Sequence, residues 1–252
     1  MTEPALYDSL LWATFGFAVV TALALIFISA PYGRHLRGGW GPTIPSRIGW
    51  IVMELPAVVA FVGIFARGEH AGELAPLVLL GIWQIHYVHR TLIFPFRMRA
   101  TGKRMPLLVA CLAIVFNTLN AYLNARWISH FGSYATSWLA DPRFIAGAAV
   151  FALGFVINFR ADSTLFRLRK PGDTGYKIPR GGLYERVTCP NYLGELLEWT
   201  GWAIATWSLA GVAFVVYTAA NLIPRAVTNH RWYRETFADY PEDRKILIPY
   251  LW

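Results

Sequence analysis

The sequence predicts an all-α, polytopic membrane protein: a seven-transmembrane-helix bundle with its cytoplasmic loops capping one end. Three observations lead there. The chain is 56% hydrophobic and only 15% charged over 252 residues, with a mean hydropathy of +0.39, too little polar surface to coat a soluble core of that size. Its apolar runs recur at close to the roughly 17–25 residues that one bilayer crossing needs. Lys and Arg alternate from one inter-run loop to the next instead of being spread evenly. The whole length is used by one bundle, so a single membrane domain over 1–252 is expected, with a distinct C-terminal block from about 105 to 252.

The first run, 10–28, follows Glu3 and Asp8 instead of a basic leader, so it is expected to stay as a span and not to be cleaved. The second, third, fourth and fifth runs cover 48–65, 74–94, 106–127 and 144–159. The sixth, 196–223, is long for one crossing and short for two, but Trp207-Ser208-Leu209-Ala210-Gly211 near its middle reads as a tight turn. Charge favours two crossings. Arg34, Arg37 and Arg47 follow the first run, Arg97, Arg99, Lys103 and Arg104 the third, and Arg160, Arg167, Arg169, Lys170, Lys177, Arg180 and Arg186 the fifth. The tail adds Arg225, Arg231, Arg234, Arg244 and Lys245, and a double crossing puts all of these on one side. The basic side is cytoplasmic by the positive-inside rule, which places the N-terminus outside and the C-terminus inside. The net charge of +8 is thereby a topological signal and not a nucleic-acid footprint. Cys111 and Cys189 belong to no paired motif and carry no compartment information.

Glu54 lies inside the second run, where a carboxylate is costly without a partner. It stands seven residues beyond Arg47, and Tyr87 stands ten residues before Arg97. At the helical rise both lie roughly 10–15 Å deep, so the acid and the phenol can meet. Around Tyr87 the chain reads Gln84-Ile85-His86-Tyr87-Val88-His89-Arg90, and Asn117, Asn120 and Asn124 share one face of the fourth run. The asparagines serve either as interhelical glue or as cavity lining. His86 and His89 lack the companion His clusters of a membrane di-iron site, so no metal is expected. For His89-Arg90 the structural alternative is snorkelling to the interface.

The loop 160–191 and the tail form the cytoplasmic cap. Arg167, Arg169, Lys170, Tyr176, Lys177 and Arg180 supply guanidinium groups, ammonium groups and an aromatic face, a set suited to a polyanionic nucleotide or to lipid headgroups. Asn158, Asp162, Asn191 and Glu195 add hydrogen-bonding groups that headgroup attraction does not require. No strand leads into a Gly-x-Gly-x-x-Gly helix, so a Rossmann domain is not indicated.

These residues resemble the membrane steroid 5α-reductases, the 3-oxo-5α-steroid 4-dehydrogenase family. The resemblance rests on Glu54-Leu55-Pro56, on His86-Tyr87-Val88-His89-Arg90-Thr91 and on a nearly continuous C-terminal block. That block contains Leu168-Arg169-Lys170-Pro171-Gly172, Tyr176-Lys177-Ile178-Pro179-Arg180-Gly181-Gly182-Leu183, Pro190-Asn191-Tyr192-Leu193-Gly194-Glu195 with Glu198-Trp199, and His230-Arg231-Trp232-Tyr233. The chain departs at Met53, where members often carry Gln.

The resemblance implies NADPH as cofactor and reduction of the 4,5 double bond of a 3-oxo-4-ene steroid that reaches the site from the bilayer. It further implies that Glu54 and Tyr87 contact the 3-ketone, and that Asn158, Asp162, Arg169, Tyr176, Asn191, Glu195 and Tyr233 surround the cofactor, with Arg90, Arg99 and His230 as neighbours. Hydride delivery to an enone drives negative charge onto the carbonyl oxygen, which needs donors in a dry site. Competing readings are a reductase of enoyl-CoA or polyprenal substrates, an isoprenylcysteine-type methyltransferase and a non-catalytic transporter or receptor. The cluster of basic side chains disfavours the methyltransferase, whose cofactor carries no phosphate. No nucleic acid and no obligate protein partner is indicated.

Overall fold

A computed structural model describes residues 1–98, 102–168 and 175–252. The protein is a multi-pass integral membrane protein, built as a helical bundle in which six helices are long and apolar enough to cross a bilayer. Helix α1 (Glu3–Phe27) opens with a proline in its first turn and leaves much of its apolar surface exposed, as a lipid-facing helix does. Its start is fixed to the far end of α5 (Leu107–Arg126): Arg126 donates to both Glu3 carboxylate oxygens at 2.7 and 2.8 Å, and the Tyr7 hydroxyl donates to the Leu123 carbonyl at 3.1 Å. Helix α2 (Ser46–Phe65) and α5 are both entered from short strands, β1 (Thr43–Pro45) and β2 (Arg104–Pro106). The strands pair antiparallel with Thr43 opposite Pro106, so one clasp sets the height of both helices.

The third apolar run is not one α-helix. Helix α3 (Leu74–Val88) passes into a π-helical turn (His89–Ile93) and then a single α turn, α4 (Phe94–Arg97). The wider turn accommodates one extra residue within a continuous rod, a feature that often marks functional positions. The fifth run, read as 144–159, extends in both directions as α6 (Pro142–Arg167), with Asp141 as its N-cap accepting from the Arg143 amide at 2.8 Å. Asp162 therefore stands on a helix, one turn from Asn158, and not in the loop expected from 160 onward. Charged residues at a membrane surface cost a helix nothing, and apolar patterning alone stops short of them.

The sixth run divides where the turn was expected. Helix α7 (Pro190–Thr206) ends at Trp207, which is left-handed at φ 45°. The Ser208 hydroxyl then accepts from the Gly211 amide at 3.0 Å to start α8 (Leu209–Thr236). With 17 residues α7 is shorter than α1, α2, α5, α6 and α8, and it is not among the six helices of bilayer-crossing length.

Antiparallel packing of α6 on α7 is the closest in the bundle, because glycines recur every seven residues on both helices. A Cβ on Gly154 would stand 2.5 Å from the Gly194 carbonyl oxygen, and one on Gly201 would stand 2.6 Å from that of Gly147. Small residues are what allow membrane helices to approach backbone to backbone. Beside this seam lies an aromatic core in which Trp83 stands 5.2 Å from Trp202 and Trp199 stands 4.2 Å from Phe214. At the opposite pole the tail docks against the segment leading into α7, with Lys245 donating to the Arg186 carbonyl at 2.8 Å and accepting from the Thr188 amide at 2.8 Å.

Candidate active site

A cavity of about 570 Å³ lies between α1, α2, α3, α5, α7 and α8, with Glu54, Tyr87 and Asn117 among its lining residues. The matched depth read from the sequence thus brings acid and phenol to one chamber. Asn117 holds the acid in place, its amide donating to Glu54 Oε2 at 3.2 Å and to the Met53 carbonyl at 2.6 Å. Farther along α5, Asn124 donates to Asn120 at 2.9 Å and accepts from the Trp202 indole at 2.8 Å. The asparagine stripe is therefore divided: Asn117 serves the cavity and Asn124 ties helices together. Met53 packs against Met105 and Ala110, which gives this wall an apolar surface.

Arg90 does not snorkel. From the π turn its guanidinium reaches Asp162 at 3.3 Å and Glu195 at 3.7 Å while stacking over Phe94 and Trp50 at 4.3 and 4.8 Å. Asn191 donates to the other Asp162 oxygen at 3.1 Å, and Asn158 donates to the Asn191 carbonyl at 2.9 Å. Five residues picked from the sequence on three helices thus form one network of hydrogen bonds and ion pairs. The two histidines diverge: His89 packs on Phe155 and Phe159, whereas His86 Nδ1 meets Glu198 Oε1 at 2.7 Å.

A second chamber, of about 150 Å³, shares Tyr32, Tyr192 and Arg225 with the first and is more polar. Arg34 reaches over it from the first loop, stacked on Tyr233 at 4.4 Å, Trp232 at 4.7 Å and Tyr176 at 5.3 Å. Arg225 donates to the Tyr192 hydroxyl at 2.9 Å. His230 meets the Thr188 hydroxyl at 2.6 Å, and Thr188 meets that of Tyr240 at 2.7 Å. Tyr176, Tyr233 and His230 are thereby gathered around the second chamber, while Arg99 and Arg169 lie outside the described residues. Sequence reading missed Arg34, Arg225 and Thr188 here and Glu198 beside the first chamber. Arg34 carried no local signal, since its ring partners Tyr176, Trp232 and Tyr233 all lie in the last third of the chain; Glu198 stood in plain view as an acid inside an apolar run.

Burial governs the protonation of this cap. The Cys189 thiol, which lines the second chamber, is pushed up to about 11 by desolvation. His35 is lowered by the same cause despite its contact with Asn229 at 3.1 Å. Several guanidinium nitrogens have no hydrogen bond of good geometry among the described residues: Arg34 Nη1, Arg97 Nη1 and those of Arg244, which is only 2% exposed and stacks over Tyr240 at 5.0 Å. Buried donors of this kind suit an anion.

Residues 103–252 match the family model described as 3-oxo-5-alpha-steroid 4-dehydrogenase. Over 255 residues the chain is 44% identical to the 3-oxo-5-alpha-steroid 4-dehydrogenase 1 of Bos taurus, covering 100% of this chain and 99% of the relative. It is 46% identical over 239 residues to steroid 5-alpha-reductase DET2 of Arabidopsis thaliana, covering 92% and 91%. With the human 3-oxo-5-alpha-steroid 4-dehydrogenase 1 the identity is 46% over 227 residues, covering 87% and 85%. Identity of this extent, running through both chambers and the helices that build them, makes the chain a member of the 3-oxo-5-alpha-steroid 4-dehydrogenase family.

Proposed function

We propose that the protein is an NADPH-dependent reductase that converts 3-oxo-4-ene steroids to 5α-3-oxo steroids. The observation that carries this reading is the junction of two unlike chambers: an apolar one holding Glu54 and Tyr87, and a polar one roofed by Arg34 on three aromatic rings. The residues fit a dinucleotide. The Arg34 guanidinium, which lines the second chamber, suits phosphate, Tyr176, Trp232 and Tyr233 suit stacking, and Asn158, Asp162, Asn191 and Glu195 offer the hydrogen bonds an amide-bearing ring requires. Arg169 and Arg99 are assigned to the same ligand by resemblance. When bound, NADPH supplies the hydride.

The chain's own residues do the rest. Tyr87 donates a hydrogen bond to the 3-ketone oxygen as negative charge gathers there, and Glu54, fixed by Asn117, donates the second as a protonated carboxylic acid. The surrounding Trp50, Trp199 and Phe214 exclude water and so strengthen both contacts. Arg90 ties Glu195, which lines the first chamber, to the buried Asp162. Substrate reaches the site from lipid and cofactor from the cytoplasm, with the N-terminus outside.

The test is to incubate purified protein with NADPH and progesterone or androstenedione and to identify the product by mass spectrometry and its C5 configuration by chromatography. A 5α-dihydro product is expected. Turnover of enoyl-CoA or polyprenal in place of any steroid would reassign the substrate. Stabilisation by S-adenosylmethionine but not by NADPH would overturn the reading.

A further inference from the structure

We infer that His86 is a catalytic residue, the donor that protonates the substrate's α-carbon, with Glu198 as the positioning residue that holds it there. This rests on the enone-reduction reading above, which places the ketone oxygen at Tyr87 and leaves the source of the second hydrogen open.

Four observations support it. His86 lines the first chamber although it is only 4% exposed. Its Nδ1 is taken by Glu198 Oε1 at 2.7 Å, so Nε2 is the nitrogen left for the cavity. The His86 ring lies edge-on to that of Tyr87, with centroids 4.9 Å apart. Because the α-carbon is bonded directly to the carbonyl carbon, its proton donor must sit beside the group that holds the carbonyl oxygen, and His86 is the titratable neighbour of Tyr87 on that helix. Finally, Glu198 is 0% exposed, and its Oε2 has no partner among the described residues. A glutamine would tie the helices together without the cost of burying an acid. A carboxylate has a further use: it fixes the tautomer of an imidazole and stabilises the imidazolium, as the acid of a catalytic triad does.

The electrons balance as follows. The β-carbon accepts the hydride, the C=C pair shifts to join the α-carbon to the carbonyl carbon, and the C=O pair moves onto the oxygen held by Tyr87. The oxygen pair then re-forms C=O, the α-carbon takes the proton from His86 Nε2, and the imidazole is left neutral with Nδ1–H on Glu198. Solvent returns the proton before the next turnover.

The reverse of the last step needs no hydride and gives a separate readout. A saturated 5α-3-oxo steroid is held in D2O with the protein and the oxidised dinucleotide, and deuterium at the α-carbons is followed by mass spectrometry. The unaltered protein is expected to exchange one α-hydrogen. His86→Gln should slow that exchange by about 100-fold, the lower end of what a general acid or base contributes, while still binding the dinucleotide. Glu198→Gln, which keeps an acceptor for Nδ1 but removes the charge, should slow it by a smaller factor of about tenfold. In the forward reaction both variants should show a larger solvent isotope effect and a smaller effect of deuterated NADPH, because protonation becomes limiting; loss of packing alone would move neither ratio. Wild-type exchange in His86→Gln, or a protein that reduces the enone yet exchanges nothing, overturns the assignment. Failure of the unaltered protein to reduce any steroid enone overturns the underlying reading instead.

Discussion

Adding one methyl group to the α6–α7 seam should cost both stability and catalysis, and the two losses should separate by position. In Gly154→Ala the new Cβ would stand 2.5 Å from the Gly194 carbonyl oxygen and 2.8 Å from Glu198 Cα. Carbon atoms rest about 3.5–4.0 Å apart, so the helices must part locally by about 1 Å. Overpacking of this kind costs about 1–3 kcal/mol, against about 1 kcal/mol gained from the better helix propensity of alanine. The clash wins. Because the displaced backbone is that of Glu198 and Gly194, the neighbours of Glu195 on α7, the shift reaches the site, where a 1 Å misplacement can cost about 100-fold in rate. Gly147→Ala meets Ala205 and Gly201 instead, so it should lose similar stability with kcat within a few-fold. Gly81→Ala meets nothing within 4 Å and should be neutral or slightly stabilising. Denaturation in detergent and steady-state kinetics on the three variants provide the assay. Wild-type stability in Gly154→Ala, or equal rate losses in Gly147→Ala and Gly154→Ala, would refute the argument.

Removing the ketone contacts should separate chemistry from cofactor binding: Tyr87→Phe is expected to lower kcat by about 100–1,000-fold and Glu54→Gln to lower it as well, with the NADPH dissociation constant nearly unchanged in titrations. Arg90→Ala removes the cation shared by Asp162 and Glu195 and leaves Asp162 only its contact with Asn191, so a destabilisation of about 3–5 kcal/mol is expected in chemical denaturation. Cys189 should resist iodoacetamide at pH 8. Its thiolate fraction, set by a value near 11 instead of 9.0, is about 100-fold below that of an unperturbed thiol, and labelling followed by mass spectrometry should rise with pH. Arg34→Leu should raise the NADPH dissociation constant by at least tenfold, read by fluorescence titration, because it removes the guanidinium stacked on Tyr233.

The bundle was legible wherever apolar length and loop charge spoke together, and less so where helices outrun their apolar stretch. The helix α6 continuing to Arg167 is such a case, and so is α7 beginning at Pro190. Glu54, Tyr87, Asp162 and Glu195 were legible because a polar group in a membrane helix demands an explanation. Arg34 was hidden among ordinary topological arginines, and what distinguishes it is a stack on residues contributed by the far end of the chain. The seven-residue spacing of Gly147 with Gly154 and of Gly194 with Gly201 stands openly in the sequence, but a spacing on one helix acquires meaning only against its mate.

The π turn at His89–Ile93 also governs how chains of this kind can be compared. One extra residue in a turn advances the helical wheel by about 100°, so the face carrying Trp83 and Tyr87 is not the face a regular helix would assign to Phe94 and Arg97. A wheel drawn straight through 74–97 turns Arg90 and Phe94 out of phase with the partners they meet. Relatives that lack the extra residue would have to present their arginine from a different turn, and an alignment that keeps the residues in register would misplace it in space.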